Sequence, residues 1–237
     1  MAIGRENEFL ATHVNRAHVD EGLRQYMLQV YNYMCAGLVL TGLVAYAVAN
    51  TEILRNFIFG TPIYWLVMFA PLIFVFIYAS RIERMSVSSA QIGFWAFATV
   101  MGMSLASVFL VFAEASVARV FFITASVFGG MSLYGYTTKK SLSGWGSFLF
   151  MGLIGVIIAM IVNMFLGSSA LHFAISVIGV IVFVGLTAYD TQRIKETYYA
   201  GDDQAMVTKK AIIGALKLYL DFINLFIMLL HLFGNRE

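Results

Sequence analysis

Two aspartates in the last third of the chain, Asp190 and Asp221, are the residues whose type and setting point most directly to chemistry. Each lies inside or at the edge of an apolar stretch, and the two stretches flank one short polar loop, Ala200 to Thr208. A carboxylate at membrane depth is costly, so an ionisable side chain there usually serves a function. If the two carboxyl groups are close neighbours, they cannot both ionise cheaply, and we expect the pair to share a proton.

The same pair of carboxylates offers a weak site for a hard cation. Calcium prefers about 6–8 oxygen ligands, more than two carboxyl groups supply, so backbone carbonyls or water would have to complete the shell. A weak and open site suits permeation better than storage. We therefore expect Asp190 and Asp221 to respond to pH and to bind calcium loosely.

The composition shows which kind of chain carries these aspartates. Of 237 residues, 60% are hydrophobic and only 12% are charged, and the mean hydropathy is +0.82. A soluble domain has about a quarter of its residues charged. The chain is therefore predicted to be an integral membrane protein.

Charged residues divide the sequence into apolar spans. Each of four uncharged runs is near or above the roughly 20 residues that cross a bilayer: 25–51, 56–80, 85–113 and 120–138. A fifth run, 141–189, would be on the order of 70 Å long as one helix, so it must turn, and Gly167-Ser168-Ser169 is the expected place. The apolar stretch Ala211 to Phe233 completes an all-α bundle of seven transmembrane helices, with an amino-terminal segment at 1–24 and a transmembrane domain at 25–237.

The basic residues that flank the spans predict the orientation of the chain. Basic residues concentrate on the cytoplasmic side of membrane proteins. The amino-terminal segment and the loops on its side hold Arg5, Arg16, Arg24, Arg81, Arg84, Lys139, Lys140, Arg193, Lys195, Lys209 and Lys210, and the opposite side holds Arg55, Arg119 and Arg236. The amino terminus is therefore expected in the cytoplasm and the carboxyl terminus outside.

Helix geometry places the two aspartates at similar depth. With the last loop centred near residue 205, Asp190 and Asp221 lie at equal depth on two antiparallel helices, within about one turn. Asp190 is closer to cytoplasmic water and is expected to be the wetter of the two. Asp221 shares a partly polar helical face with Lys217, Asn224, Leu225 and Met228, which is expected to point into the bundle.

A purely structural role is the alternative for both aspartates. Asp190 could pair with Arg193 at a helix end, and Asp221 could neutralise Lys217 one turn away as a buried ion pair. Arg81 and Arg84, at the cytoplasmic end of the second span, are on the same side as Asp190. Either could latch it, although arginines at span ends often extend only to the lipid headgroups.

Small residues recur at helical spacing on several spans. Examples are Gly37, Thr41 and Ala45 at four-residue intervals, and the group Gly129, Gly130 and Ser132. Small side chains let helices approach one another closely in a membrane. Both groups are interpreted as packing surfaces.

Enzyme chemistry is not expected. The histidines lie near loops or helix ends without the spacing of a metal site, and His172 and His231 are interpreted as interfacial residues rather than a ligand pair. Cys35 is the only cysteine, and serines lack a neighbouring base. Lys217 would permit a retinal Schiff base, but the third span offers no counter-ion before Glu114. No cofactor and no nucleic-acid partner are expected, because topology accounts for the net charge of +2.

Four segments together resemble a known family. They are LRQYMLQVYNYM (23–34), MGLIGVIIAMIVNMFL (151–166), GLTAYDTQRIK (185–195) and ALKLYLDFINLFIMLLHLFG (215–234). They resemble the transmembrane Bax inhibitor-1 family in its bacterial branch, and the resemblance extends over nearly the whole chain. The paired YDTQ and LYLDFINLF motifs are its most specific part.

The resemblance implies a fold and a function. It implies a seven-helix bundle with the last helix near its centre, set in the bacterial inner membrane, that acts as a pH-sensitive calcium leak channel. The residues matching the family's gating pair are Asp190 and Asp221, and Arg81 matches its basic latch better than Arg84 does. The family also allows an alternative role, in which the segment 1–24 restrains a membrane-embedded ATP-dependent protease.

Overall fold

The computed structural model describes the backbone of residues 2–236 and the side chains of residues 19–82 and 84–236. Helices make up almost all of this part of the chain. Their bounds are α1 (Ala2–Asn50), α2 (Glu52–Phe59), α3 (Ile63–Arg81), a 3-10 turn (Ile82–Arg84), α4 (Val87–Leu105), α5 (Val108–Val111), α6 (Glu114–Thr137), α7 (Ser143–Leu166), α8 (Ser169–Glu196) and α9 (Gln204–Phe233).

Seven membrane-spanning helices are confirmed. Within the described residues, seven segments are long and apolar enough to cross a bilayer: Val19–Asn50, Ile63–Arg81, Val87–Val111, Glu114–Thr137, Ser143–Leu166, Ser169–Glu196 and Gln204–Phe233. The protein is an all-α integral membrane bundle.

The last helix is the centre of the bundle, as predicted. In α9, 72% of the most apolar stretch is buried inside the protein, and no other described span exceeds 39%. The helix packs against α8, α1, α6 and α4. Leu218, Leu225 and Leu230 of α9 are almost completely buried by these neighbours.

The predicted turn between the fifth and sixth spans is also confirmed. Gly167 ends α7 with φ 61°, a left-handed conformation that glycine adopts without steric cost. Ser168 then begins α8, where its hydroxyl accepts a hydrogen bond from the backbone N–H of Leu171 at 3.3 Å. A glycine that ends one helix and a serine that caps the next reverse the chain within three residues.

The predicted limits of three spans were wrong in detail. Helix α1 continues through Asp20 and Arg24, which are exposed and do not interrupt it, so the helix does not begin at residue 25. The second begins at Ile63 after Pro62, and the four residues 56–59 belong to the separate short helix α2. In the third span α4 ends at Leu105 and the short helix α5 continues to Val111. The predicted segment 1–24 lies largely outside the described side chains.

The polar loop between the last two spans is shorter than predicted. Helix α8 continues to Glu196 and α9 begins at Gln204, so only residues 197–203 connect them. Asp203 caps α9 by accepting a hydrogen bond from the backbone N–H of Met206 at 2.7 Å. The loop also begins and ends earlier than predicted, and Lys209 and Lys210 belong to α9.

The packing role of the small residues is confirmed on α1 but was wrong for two glycines of α6. Gly37 lies directly under the ring of Phe94, and Thr41 hydrogen-bonds the hydroxyl of Tyr219 at 2.6 Å. Gly129 and Gly130, in contrast, face open space, because a side chain at either position would have no neighbour within 4 Å.

Candidate functional site: an aspartate pair between α8 and α9

Two contacts establish the register of the antiparallel helices α8 and α9. The side chain of Met228 lies over Gly179 toward one end of the pair, and the side chain of Ile194 lies over Gly214 toward the other. Glycines at these positions let the two helices approach closely.

This register brings the two aspartates to nearly the same level. Interpolation between the glycine contacts places Asp190 opposite Leu218, about one helical turn from Asp221. The equal-depth argument from the sequence therefore agrees with the structure to within that turn.

The carboxyl groups of Asp190 and Asp221 are near enough across the α8–α9 interface to interact directly with each other. Asp221 is only 6% exposed, whereas Asp190 is half-buried, so Asp190 is the wetter of the two. The Oδ2 atom of Asp221 is buried and has no hydrogen-bond partner among the described residues. Two like charges with an unsatisfied oxygen in this setting would be costly, and a shared proton removes that cost.

Positive charge lies near the pair without forming an ion pair with it. Lys217 attracts both carboxyl groups electrostatically, and Arg193 attracts that of Asp190. Lys217 is nevertheless exposed, and Arg193 pairs with Glu196 at 3.6 Å. Within the described side chains, neither aspartate has an ion pair with Lys217 or Arg193. The ion pairs that a purely structural role would require, Asp190 with Arg193 and Asp221 with Lys217, are therefore not observed among the described side chains.

The two arginines considered as latches are not part of this arrangement. Arg81 ends α3, Arg84 ends the 3-10 turn that follows, and both side chains are exposed. The charged groups acting on Asp190 within the described part of the chain are Lys217, Asp221 and Arg193. A contact between an arginine of this turn and Asp190 would require a different conformation.

One face of the central helix remains open while the others are buried. Between Ala211 and His231, every residue of α9 is buried except a stripe at helical spacing, which we call the open face: Ile213, Lys217, Leu220, Asn224, Ile227 and His231. Its polar members recur every seven residues, and Lys217 lies one turn from Asp221. The sequence interpretation placed Lys217 and Asn224 inside the bundle with Asp221, but Lys217 is exposed and Asn224 is half-buried.

A chain of hydrogen bonds that the sequence did not reveal fixes α8 beside Asp190. The hydroxyl of Thr191 donates to the carbonyl of Thr187 at 2.7 Å and accepts from Ser132 at 2.9 Å. Ser132 in turn accepts from the hydroxyl of Tyr31 at 2.6 Å. These polar side chains come from α1, α6 and α8, so no local spacing could indicate that they meet.

The residues after Asp190 are also held by the loop before α7. The side chain of Gln192 accepts a hydrogen bond from the backbone N–H of Leu142 at 2.7 Å and donates to the carbonyl of Lys140 at 2.9 Å. Lys195 donates to the carbonyl of Tyr136 at 2.8 Å. Helix α8 is therefore anchored by side chains that follow Asp190 directly.

The described side chains contain no cluster of three or more His, Cys, Asp or Glu residues able to hold a metal ion. The pair alone supplies two carboxyl groups, well short of the shell that calcium prefers. Calcium binding at Asp190 and Asp221 remains a prediction.

The fold and the site define a class of protein: a seven-span helical membrane protein with a carboxyl pair beside its central helix. Residues 23–237 match the family described as "Inhibitor of apoptosis-promoting Bax1", and the chain belongs to this Bax inhibitor-1 family. Similar chains include the uncharacterized protein RP147 of Rickettsia prowazekii, 50% identical over 218 residues that cover 92% of each chain. The inner membrane protein YbhL of Escherichia coli K12 is 47% identical over 219 residues, 91% of this chain and 94% of YbhL.

A chain of lower identity is similar over the same length. An uncharacterized membrane protein of Streptococcus pyogenes, SpyM3_0260, is 37% identical over 228 residues, which cover 95% of this chain and 99% of that protein. The likeness therefore extends over the full seven-span domain and not over one motif.

Proposed function

We propose that the protein is a pH-sensitive calcium leak channel, with Asp190 and Asp221 as its proton-sensing pair. The observation that carries the proposal is the burial of Asp221 with its carboxyl group against that of Asp190 and without an ion pair. Intramembrane ionisable residues mark ion and proton pathways more often than they serve structure. The resemblance to the Bax inhibitor-1 family supports the same assignment.

The proton is the switch in this proposal. With one proton shared, the two carboxyl groups hold α8 and α9 together through a hydrogen bond. Loss of that proton leaves two negative charges in the interface, and gain of a second removes the charge that a cation would meet. Either change alters both the packing of α9 and the attraction of the site for calcium.

The open face of α9 supplies the route. It runs along the central helix from Ile213 to His231 and presents Lys217, Asn224 and His231 at seven-residue intervals. Polar side chains within a span usually face the bundle interior or a water-filled space. Calcium would move along this stripe past the aspartate pair, and Lys217 would keep the leak small by repelling cations.

Two cavities elsewhere in the bundle do not offer a competing route past the aspartates. Volumes of about 630 Å³ and 490 Å³ lie between α1 and α6, with walls that are almost entirely apolar. Neither cavity includes Asp190 or Asp221. Spaces of this kind suit lipid chains better than ions.

The proposed setting is the bacterial inner membrane, with the amino terminus in the cytoplasm and the carboxyl terminus outside. The relative YbhL is named an inner membrane protein, and the basic flanks of the spans support this orientation. In a closed conformation Arg81, or Arg84 as the alternative, would latch Asp190. The alternative role, in restraining a membrane-embedded protease, depends on residues 1–24. The aspartate pair does not support that role.

Calcium flux in proteoliposomes tests the proposal. The purified protein should admit calcium to a trapped fluorescent indicator at a rate that changes with pH, and empty liposomes should not. Asp190→Asn and Asp221→Asn should flatten the pH dependence, whereas Asp20→Asn, which changes an exposed aspartate on the same side, should preserve it. A wild-type pH profile in both pair variants would remove Asp190 and Asp221 from the mechanism.

A further inference from the structure

A second polar site lies at the opposite end of the bundle from the aspartates. His172 is in the first turn of α8 and His231 is in the last turn of α9, and their imidazole ring centroids are 4.5 Å apart. They border a cavity of about 190 Å³, which we call the outer cavity. Its wall also includes Met160, Met164 and Met228.

One imidazole nitrogen of this site lacks a partner. His172 Nε2 is buried and has no hydrogen-bond partner among the described residues. A buried nitrogen without a partner is costly, and native proteins rarely leave one without a role. The nitrogen is beside a second imidazole and at the edge of a cavity. Two imidazoles in this arrangement can bind one metal ion together.

Two other polar residues at the cavity are already occupied. Asn163 accepts a hydrogen bond from the backbone N–H of Ser168 at 3.0 Å, and Ser176 donates to the carbonyl of His172 at 2.9 Å. The groups left to bind a ligand are the imidazole nitrogens and the three methionine sulfur atoms.

The methionines of the cavity wall come from two helices. Met160 and Met164 are one turn apart on α7, and Met228 precedes His231 by one turn on α9. Thioether sulfur is a soft ligand that selects Cu(I) among the common biological metals, and imidazole also binds copper. Calcium and magnesium prefer oxygen ligands, so this donor set disfavours them.

The charge of the site points to a monovalent ion. The outer cavity has no Asp, Glu or Cys in its wall, so every donor is neutral. Arg236 adds positive charge near His231. A divalent ion would place two uncompensated charges in these surroundings, and because the cost of burying an ion grows with the square of its charge, a monovalent ion carries a much smaller penalty.

The cavity can be reached from outside the bundle. Met160 is 43% exposed and Met164 is 66% exposed, and Met164 lies two residues from the end of α7. Met228 is 3% exposed and lies over Gly179, so it forms the floor. The exposed methionines could capture an ion that the buried methionine and the histidines then hold.

We propose that the outer cavity binds one soft monovalent metal ion, Cu(I) or Ag(I), through His172, His231 and the sulfur atoms of Met160, Met164 and Met228. The site is separate from the aspartate pair, and its occupancy does not depend on whether the protein conducts calcium.

Competitive titration of the full chain in detergent tests this site. The parent protein should carry Cys35→Ser, His13→Ala and His18→Ala, which remove the other thiol and imidazole ligands. Under reducing, oxygen-free conditions it should take one Cu(I) per chain from the colorimetric chelator bicinchoninate, and Ag(I) should displace that copper. Failure to take Cu(I) from the chelator would overturn the proposal, and so would Zn(II) binding as tight as Cu(I).

Variants then separate the two kinds of ligand. His172→Ala and the triple change Met160→Leu, Met164→Leu and Met228→Leu should each weaken Cu(I) binding by at least about tenfold. Met151→Leu, an exposed methionine of α7 outside the cavity, is the matched control and should bind as the parent does. Unchanged affinity in the triple variant would show that sulfur is not a ligand and would contradict the proposal.

A spectroscopic measurement on the parent protein removes any dependence on how the variants fold. X-ray absorption at the copper edge should show both nitrogen and sulfur neighbours in the loaded protein. A shell of nitrogen or oxygen alone would overturn the assignment even if the variants lose binding.

Discussion

Lys217 and Asp221 are four residues apart on the central helix, yet Lys217 is exposed, Asp221 is 6% exposed, and no ion pair joins these two described side chains. A lysine this close was the strongest reason to regard Asp221 as half of a structural ion pair. Its side chain instead lies on the open face of α9 and acts on Asp190 and Asp221 only through space. The carboxyl group of Asp221 therefore has Asp190 as its direct polar neighbour.

Removing the lysine charge should move the pH response. A nearby positive charge favours the ionised form of the pair, so in Lys217→Met the pair keeps its proton to higher pH. The midpoint of the pH-dependent calcium flux should rise, by less than about one pH unit because the lysine is exposed to solvent screening. Flux assays across a pH series measure this midpoint. Lys139→Met, an exposed lysine on the same side, should leave it unchanged, and a downward shift in Lys217→Met would contradict the account.

The close approach of α6 and α8 next to Asp190 should depend on Gly135. A methyl group at this position would collide with the backbone carbonyl of Ala188, which cannot move aside as a flexible side chain can. Gly135→Ala should lower the free energy of unfolding by about 1–3 kcal/mol. Gly130→Ala on the same helix has no neighbour within 4 Å and serves as the control. Unfolding by SDS in mixed micelles gives both values, and equal stabilities would show that α6 and α8 are not packed as described.

The buried hydrogen bonds of Tyr219 predict an asymmetry between two variants. Thr41 donates to the carbonyl of Ala98 at 2.9 Å, so the hydroxyl of Tyr219 must donate to Thr41. Tyr219→Phe removes one hydrogen bond and should cost about 1 kcal/mol, because Thr41 keeps its acceptor. Thr41→Val leaves the buried Tyr219 hydroxyl without an acceptor and should lower the free energy of unfolding by about 1–3 kcal/mol.

The double variant checks that direction of donation. Adding Tyr219→Phe to Thr41→Val removes the stranded donor, so the double variant should be no less stable than Thr41→Val alone. The single variants Tyr219→Phe and Thr41→Val should both keep the wild-type pH dependence of calcium flux, because neither residue is part of the aspartate pair. A Tyr219→Phe protein less stable than Thr41→Val would reverse the assignment.

The sequence predicted the spans because a long uncharged run has few alternatives to a membrane helix. It also predicted the depth of Asp190 relative to Asp221, since both positions are measured from a single short loop. It misjudged the limits of the loop: α8 ends at Glu196, before the predicted start at Ala200, and α9 begins at Gln204, before the predicted end at Thr208.

Contacts that depend on which helix faces pack together could not be predicted from the sequence. Gly129, Gly130 and Gly135 are equally small, but only Gly135 contacts another helix, and this is determined by the rotation of α6. The pairing of His172 with His231 joins residues from the start of one helix and the end of another. Neither the Gly135 contact nor the histidine pair produces a local sequence pattern from which it could be predicted.

The central claim is that calcium flux follows the protonation of the Asp190–Asp221 pair, and Asp221→Asn tests it most directly. An amide is close in shape to a protonated carboxyl group and cannot ionise. Calcium flux through Asp221→Asn in proteoliposomes, measured across a pH series, should therefore lack the step that the wild type shows when the pair gives up its shared proton, and should stay at the wild-type value found below that step. A variant that keeps the wild-type pH profile, while Asp20→Asn behaves as wild type, would contradict the claim.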